Sequence, residues 1–184
     1  MTVEFLTDRV GYIPGAVNVG VVRADGDRFI LIDTGLNDTS GKKAVKAIQE
    51  LNGTVAAIVT THAHADHFGA NATVVKRTGA KVYAPAIDEA VIRYPILQPS
   101  LLFAGADPPT MLRGRFLLAD ASPVDEVFDR GMLGVEGVSL QIIDLAGHSP
   151  NQKGFLVDGV FFSADVALPE SVLEKYRIPY LSAV

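Results

Sequence analysis

The 184-residue sequence predicts an α+β fold. Strand pairs appear at both ends of the chain, each joined by an Asp-Gly turn, at Asp25-Gly26 and at Asp158-Gly159. Between them, from Lys42 to Ala84, helix-like and strand-like segments alternate, which suits a sheet covered by helices on one face. Hydrophobic residues make up 48% of the chain, enough for one good core, and no apolar run is long enough to cross a bilayer. A single domain, residues 1–184, is the expectation.

Taken in order, Val17–Arg23 and Arg28–Asp33 are the first hairpin. The second strand closes in Asp33-Thr34-Gly35; an aspartate there is either an ordinary turn residue or a buried acid that needs a partner. Lys42–Leu51 has apolar residues at helical spacing, with Ser40 as its candidate cap and Asn52-Gly53 as its stop. Val55–Thr61 is a short β-branched run and reads as a buried strand. A helix is expected from Phe68 to Lys76, then a strand over Lys81–Ala84. From Pro85 to Val127 the pattern loosens into a helical insertion, long for a connector, in which Tyr94, Leu101, Phe103 and Met111 are expected to wall a pocket. Strands return at Val138–Leu145, Gly154–Val157 and Val160–Ser163.

Three of the four histidines fall in Thr60-Thr61-His62-Ala63-His64-Ala65-Asp66-His67, at the C-terminal end of the apolar strand. Open α/β sheets usually place ligands at such strand ends. In extended backbone His62 and His64 point the same way, while Asp66 and His67 fall where the chain turns into a helix. Imidazole suits zinc and other borderline metals, and a carboxylate balances their charge. The fourth histidine, His148, also follows a strand, beside Gly147. Asp165 closes the last strand in the same way.

The segment His62-Ala63-His64-Ala65-Asp66-His67 resembles the signature of the metallo-β-lactamase superfamily of metallohydrolases, and Gly147-His148 resembles its second histidine motif. The resemblance implies an αββα sandwich and two divalent metal ions, zinc first, with iron or manganese as alternatives. Carried over residue by residue, it assigns His62, His64 and His148 to one ion and Asp66 and His67 to the other. Asp165 matches the bridging carboxylate, and Asp33 the acid behind the histidines that orients an imidazole. Asp66 would also act as the catalytic base on a metal-bound hydroxide. A small ester, thioester or lactone is the implied substrate. A mononuclear iron persulfide dioxygenase on the same fold is the alternative chemistry, and a non-catalytic fragment the third reading.

The superfamily pattern needs a further histidine for the second ion. None follows His148, and the chain ends at Leu181-Ser182-Ala183-Val184 soon after Asp165. The expectation is therefore a sandwich incomplete at its C-terminus, with the second metal position weakly held or empty. An uncovered sheet face or edge would then favour homo-oligomers. The net charge of -5 and the lack of basic clusters argue against nucleic acid or an anionic membrane as partner. The absence of cysteine excludes disulfides and thiolate ligands, and agrees with a cytoplasmic setting.

Overall fold

The computed structural model describes residues 2–168 together with residues 173 and 174. Its first sheet has seven strands in chain order: β1 (Glu4–Phe5), β2 (Val10–Ile13), β3 (Val19–Arg23), β4 (Arg28–Ile32), β5 (Thr54–Val59), β6 (Lys81–Pro85) and β7 (Glu126–Phe128). Neighbours are antiparallel from β1 to β4 and parallel from β4 to β7. The parallel half requires crossovers, supplied by α1 (Asp38–Glu50) between β4 and β5, and by α2 (Ala65–Phe68) and α3 (Asn71–Thr78) between β5 and β6. The connection from β6 to β7 carries α4 (Asp88–Arg93) and α5 (Leu97–Leu102). A second, wholly antiparallel sheet follows: β8 (Met132–Val135), β9 (Val138–Asp144), β10 (Lys153–Val157) and β11 (Val160–Phe162), ordered β11-β10-β9-β8.

Side chains alternate across the first sheet and split into two cores. Val21, Leu31, Ile58 and Val82 pack with Val45, Ile48 and Val74 of α1 and α3 on the helical side. Val22, Ile30, Val59 and Tyr83 face Leu133, Leu140, Ile142 and Phe155 of the second sheet. The strands β3 to β6 are buried on both faces, which is why they read as continuous apolar runs. In the second sheet Ser139 and Gln141 are exposed while Val138 and Leu140 are buried, so its outer face meets solvent among the described residues. Helix, sheet and sheet are thus three layers of the expected αββα sandwich. The expectation about the chain's end at Leu181–Val184 lies outside the described residues.

Several local expectations are corrected. Helix α1 begins at Asp38, ahead of Lys42, because Asn37 and not Ser40 is the cap. Asn37 Oδ1 accepts from the amides of Thr39 at 3.0 Å and Ser40 at 3.3 Å, and Ser40 Oγ accepts in return from the Asn37 amide at 3.0 Å. The single helix expected over Phe68–Lys76 is two, because the chain breaks at Gly69-Ala70. A Cβ at Gly69 would collide with the carbonyl oxygens of Leu36 and Ala65, so only glycine lets α2 sit against the loop after β4. The insertion is shorter than Pro85–Val127, since Pro85 closes β6 and Val127 belongs to β7. The short strands β1, β2, β7 and β8 have too few residues for a visible alternation and are added by the tertiary fold.

Candidate metal centre

Strands β4 and β5 deliver Asp33 and the histidine loop to the same end of the first sheet. Asp33 adopts φ 61°, a left-handed conformation that aspartate tolerates better than most residues. It is buried, and its carboxylate is fully engaged. Oδ1 accepts from the Thr61 amide at 2.8 Å; Oδ2 accepts from the Thr61 hydroxyl at 2.7 Å and faces His67 Nδ1 at 2.7 Å. The acid thus orients His67 directly, as expected. Thr61 extends its reach: with the hydroxyl proton directed at Asp33, Thr61 Oγ1 accepts from His62 Nδ1, 3.0 Å away. These bonds place the ring protons of His67 and His62 on Nδ1 and leave both Nε2 atoms as metal ligands.

The other ring atoms converge. His62 Nε2 and His148 Nε2 each lie 3.0 Å from His64 Nδ1. Asp165, in the turn after β11, places Oδ1 3.2 Å from His67 Nε2 and Oδ2 3.3 Å from His148 Nε2. Two donor groups result, His62–His64–His148 and His62–His67–Asp165, each with its ligand atoms within 4.8 Å of one another. One carboxylate oxygen therefore points at each. Five of the six residues expected at the centre meet here. Asp66 belongs to neither group; it is half-buried on α2 and lines a cavity together with Asp165.

The electrostatics suit a cation. Burial and the neighbouring imidazoles hold His62 far below the ordinary histidine range, and burial with His148 lowers His64, so both are neutral and available as ligands. Burial alone would lower His67 as well, but Asp33 and Asp165 outweigh it and raise its pKa to about 10. A pocket that holds a proton this firmly offers the same negative charge to a metal. His67 Nε2 is buried and makes no hydrogen bond, although Asp165 is beside it. A ring nitrogen that faces a carboxylate across a held proton is a donor arrangement in which an ion can replace that proton.

Two cavities flank Asp165. One, of about 540 Å³, is bordered by Tyr12, Gly20, Ile32, Phe162 and the inner face of His67. The other, of about 660 Å³, is lined by Ile13, Val17, Leu36, Lys43, Phe116 and Asp66. Tyr94, Leu101, Phe103 and Met111, expected as a pocket wall, line neither and are exposed; Phe116 is the insertion's contribution. Thr61, Lys43 and Phe116 carried no sequence signal of their own, since each reads as an ordinary strand, helix or loop residue.

A four-histidine and carboxylate cluster at the strand ends of a two-sheet sandwich defines a metallohydrolase-type centre. The sequence pattern of the metallo-beta-lactamase superfamily matches residues 12–181, and the chain belongs to that superfamily. Among curated proteins it is similar to a UPF0173 metal-dependent hydrolase of Thermodesulfovibrio yellowstonii, 32% identical over 74 residues, 40% of this chain and 27% of that protein. A second UPF0173 metal-dependent hydrolase, from Pyrococcus furiosus, is 45% identical over 60 residues, 33% of this chain and 25% of that protein. The matched segments thus span about a quarter of those relatives. Among solved structures, a Cronobacter sakazakii metallo-beta-lactamase mutant superposes with TM-score 0.70 at 23% identity, covering 92% of this chain and 66% of that one. The subclass B3 enzyme BJP-1 of Bradyrhizobium japonicum gives 0.69 at 22% identity, covering 96% and 71%. At these identities the likeness is one of fold.

Proposed function

We propose that the protein is a metal-dependent hydrolase acting on a small ester, thioester or lactone. The observation that carries this reading is Asp165, which turns one oxygen to His67 and the other to His148, between two groups of imidazole nitrogens. His62, His64 and His148 would hold one divalent ion; His67 and Asp165, with Asp66 nearby, would hold a second. Zinc fits nitrogen and oxygen donors without thiolate, and iron or manganese fit the same set. Bound ions would supply a hydroxide at neutral pH and polarise the scissile carbonyl.

The chain's own residues prepare that chemistry. Asp33 fixes the His67 ring and, through Thr61, the His62 ring, so the ligand nitrogens face inward before any ion arrives. Asp66, which lines the larger cavity together with Asp165, would accept a proton from the nucleophile. The apolar lining from Ile13, Leu36 and Phe116 would take the body of the substrate and exclude water from it. The names of the UPF0173 relatives support the hydrolase reading.

The test is metal analysis of the purified protein, followed by turnover of chromogenic ester, thioester and lactone substrates with and without added zinc. Metal-dependent hydrolysis of at least one class, lost in Asp66→Ala, is the expected result. A protein that binds no divalent ion would refute the reading.

A further inference from the structure

The turn joining β6 to α4 touches both arms of the three-histidine group, although none of its residues faces the metal position. Asp88 Oδ1 accepts from the Ala63 amide at 2.7 Å, and Ala63 is the residue between His62 and His64. Two residues before Asp88, the Ala86 carbonyl accepts from Asn151 Nδ2 at 2.6 Å, and Asn151 lies three residues beyond His148. The Ala86 amide is itself tied to the Phe128 carbonyl of β7 at 2.8 Å, which anchors the turn to the sheet. Between these contacts stands Ile87 at φ 71°, a β-branched residue in the left-handed region. Such a conformation persists only where the surroundings hold it.

Asp88 is more than the first residue of a helix. A helix-start acid ordinarily sits in solvent, whereas Asp88 is only 6% exposed and its second oxygen, Oδ2, is buried without a hydrogen-bond partner. Burying a half-satisfied carboxylate costs stability. Its one side-chain bond goes to the peptide that sets the bend between two converging histidines.

We propose that the Ala86–Asp88 turn is a positioning clamp for the metal centre. Asp88 holds the His62–His64 loop, and Ala86 holds the His148 loop through Asn151. One strained turn thereby sets the distance between the two arms, which come from different sheets. The proposal rests on the metal reading above and goes beyond it in assigning residues that touch neither ion nor substrate.

The experiment compares parent, Asp88→Ala, Asp88→Asn and Asn151→Ala by zinc titration, by the visible spectrum of the cobalt-substituted protein, and by thermal unfolding with and without zinc. Asp88→Ala and Asn151→Ala should each weaken zinc binding by about 10–100-fold, the usual effect of losing an outer partner of a metal ligand. Both should alter the cobalt spectrum while the metal-free proteins still unfold cooperatively. Asp88→Asn keeps an acceptor oxygen for the Ala63 amide and should restore affinity and spectrum close to the parent's. A folded Asp88→Ala with parental affinity overturns the proposal. If Asp88→Ala fails to fold, parental affinity in Asn151→Ala, or an Asp88→Asn protein that has lost its zinc, overturns it equally. A parent that binds no zinc takes down the metal reading, whereas unaffected variants of a zinc-binding parent take down the clamp alone.

Discussion

Asp33 Oδ2 and His67 Nδ1 lie 2.7 Å apart, both buried, and the same oxygen receives the Thr61 hydroxyl at 2.7 Å. One carboxylate thus sets the orientation of two imidazoles. Asp33→Ala should therefore weaken metal affinity by about 10–100-fold without abolishing it. Asp33→Asn should be nearly as harmful, since its amide removes the negative charge behind His67. Zinc titration of both variants checks this, and parental affinity in either would reject the orienting role.

His62→Ala and His148→Ala should each remove the ion of the three-histidine group and leave the fold intact. His62 and His148 sit in loops, while the packing comes from β5 and the second sheet. Elemental analysis at one ion fewer per chain, with parental circular dichroism, is the expected outcome. Unchanged metal content would exclude the residue as a ligand.

Stability should fall with pH because of Asp88. Burial pushes its carboxyl from 3.8 up to about 6, so the folded state keeps a proton that the unfolded chain has lost. The stabilisation from this group is complete below about pH 4 and is lost as the pH rises through about 6. Asp88→Asn removes that loss and should stabilise the protein at pH 7 by on the order of 2 kcal/mol. The advantage should vanish near pH 4. Chemical denaturation of both proteins at the two pH values measures it, and an equal difference at both would contradict the assignment.

Lys43 stands on α1 at the wall of the larger cavity and forms no ion pair among the described residues. Substrates with a carboxylate away from the scissile group should be preferred over neutral analogues. Lys43→Ala should reduce that preference by about fivefold, in line with an exposed ion pair of up to about 1 kcal/mol. Matched pairs of charged and neutral esters test it, and an unchanged ratio would remove Lys43 from substrate selection.

Among the described residues strand β11 is an edge of the second sheet, and Phe161 on it and Met132 on β8 are 45% and 61% exposed. Self-association through this sheet is the expected behaviour. Light scattering across a concentration series should show dimers or larger species, and a monomer throughout would exclude it.

The sequence by itself determined the longer buried strands and the residue types of the candidate metal centre. Runs such as Arg28–Ile32 and Thr54–Val59 are apolar because both faces are buried, and that pattern survives in one dimension. The cluster from His62 to His67 was legible because its donors are neighbours along a single loop. His148 and Asp165 were recognisable from their places after strands, and their resemblance to superfamily motifs supplied the pairing. The tertiary structure alone decided what lies between these segments. Asp88 looks like any acid at a helix start, and only its burial against the Ala63 amide gives it another part. Asn151 looks like a turn residue until its amide is seen on Ala86, 65 positions away. The pocket wall was misread for the same reason: Tyr94, Leu101 and Met111 are exposed and line neither cavity, whereas Phe116, also exposed, lines the larger one. Hydrophobicity records how a residue partitions from water, whereas hydrogen-bond partners and cavity walls depend on which segments the fold brings together.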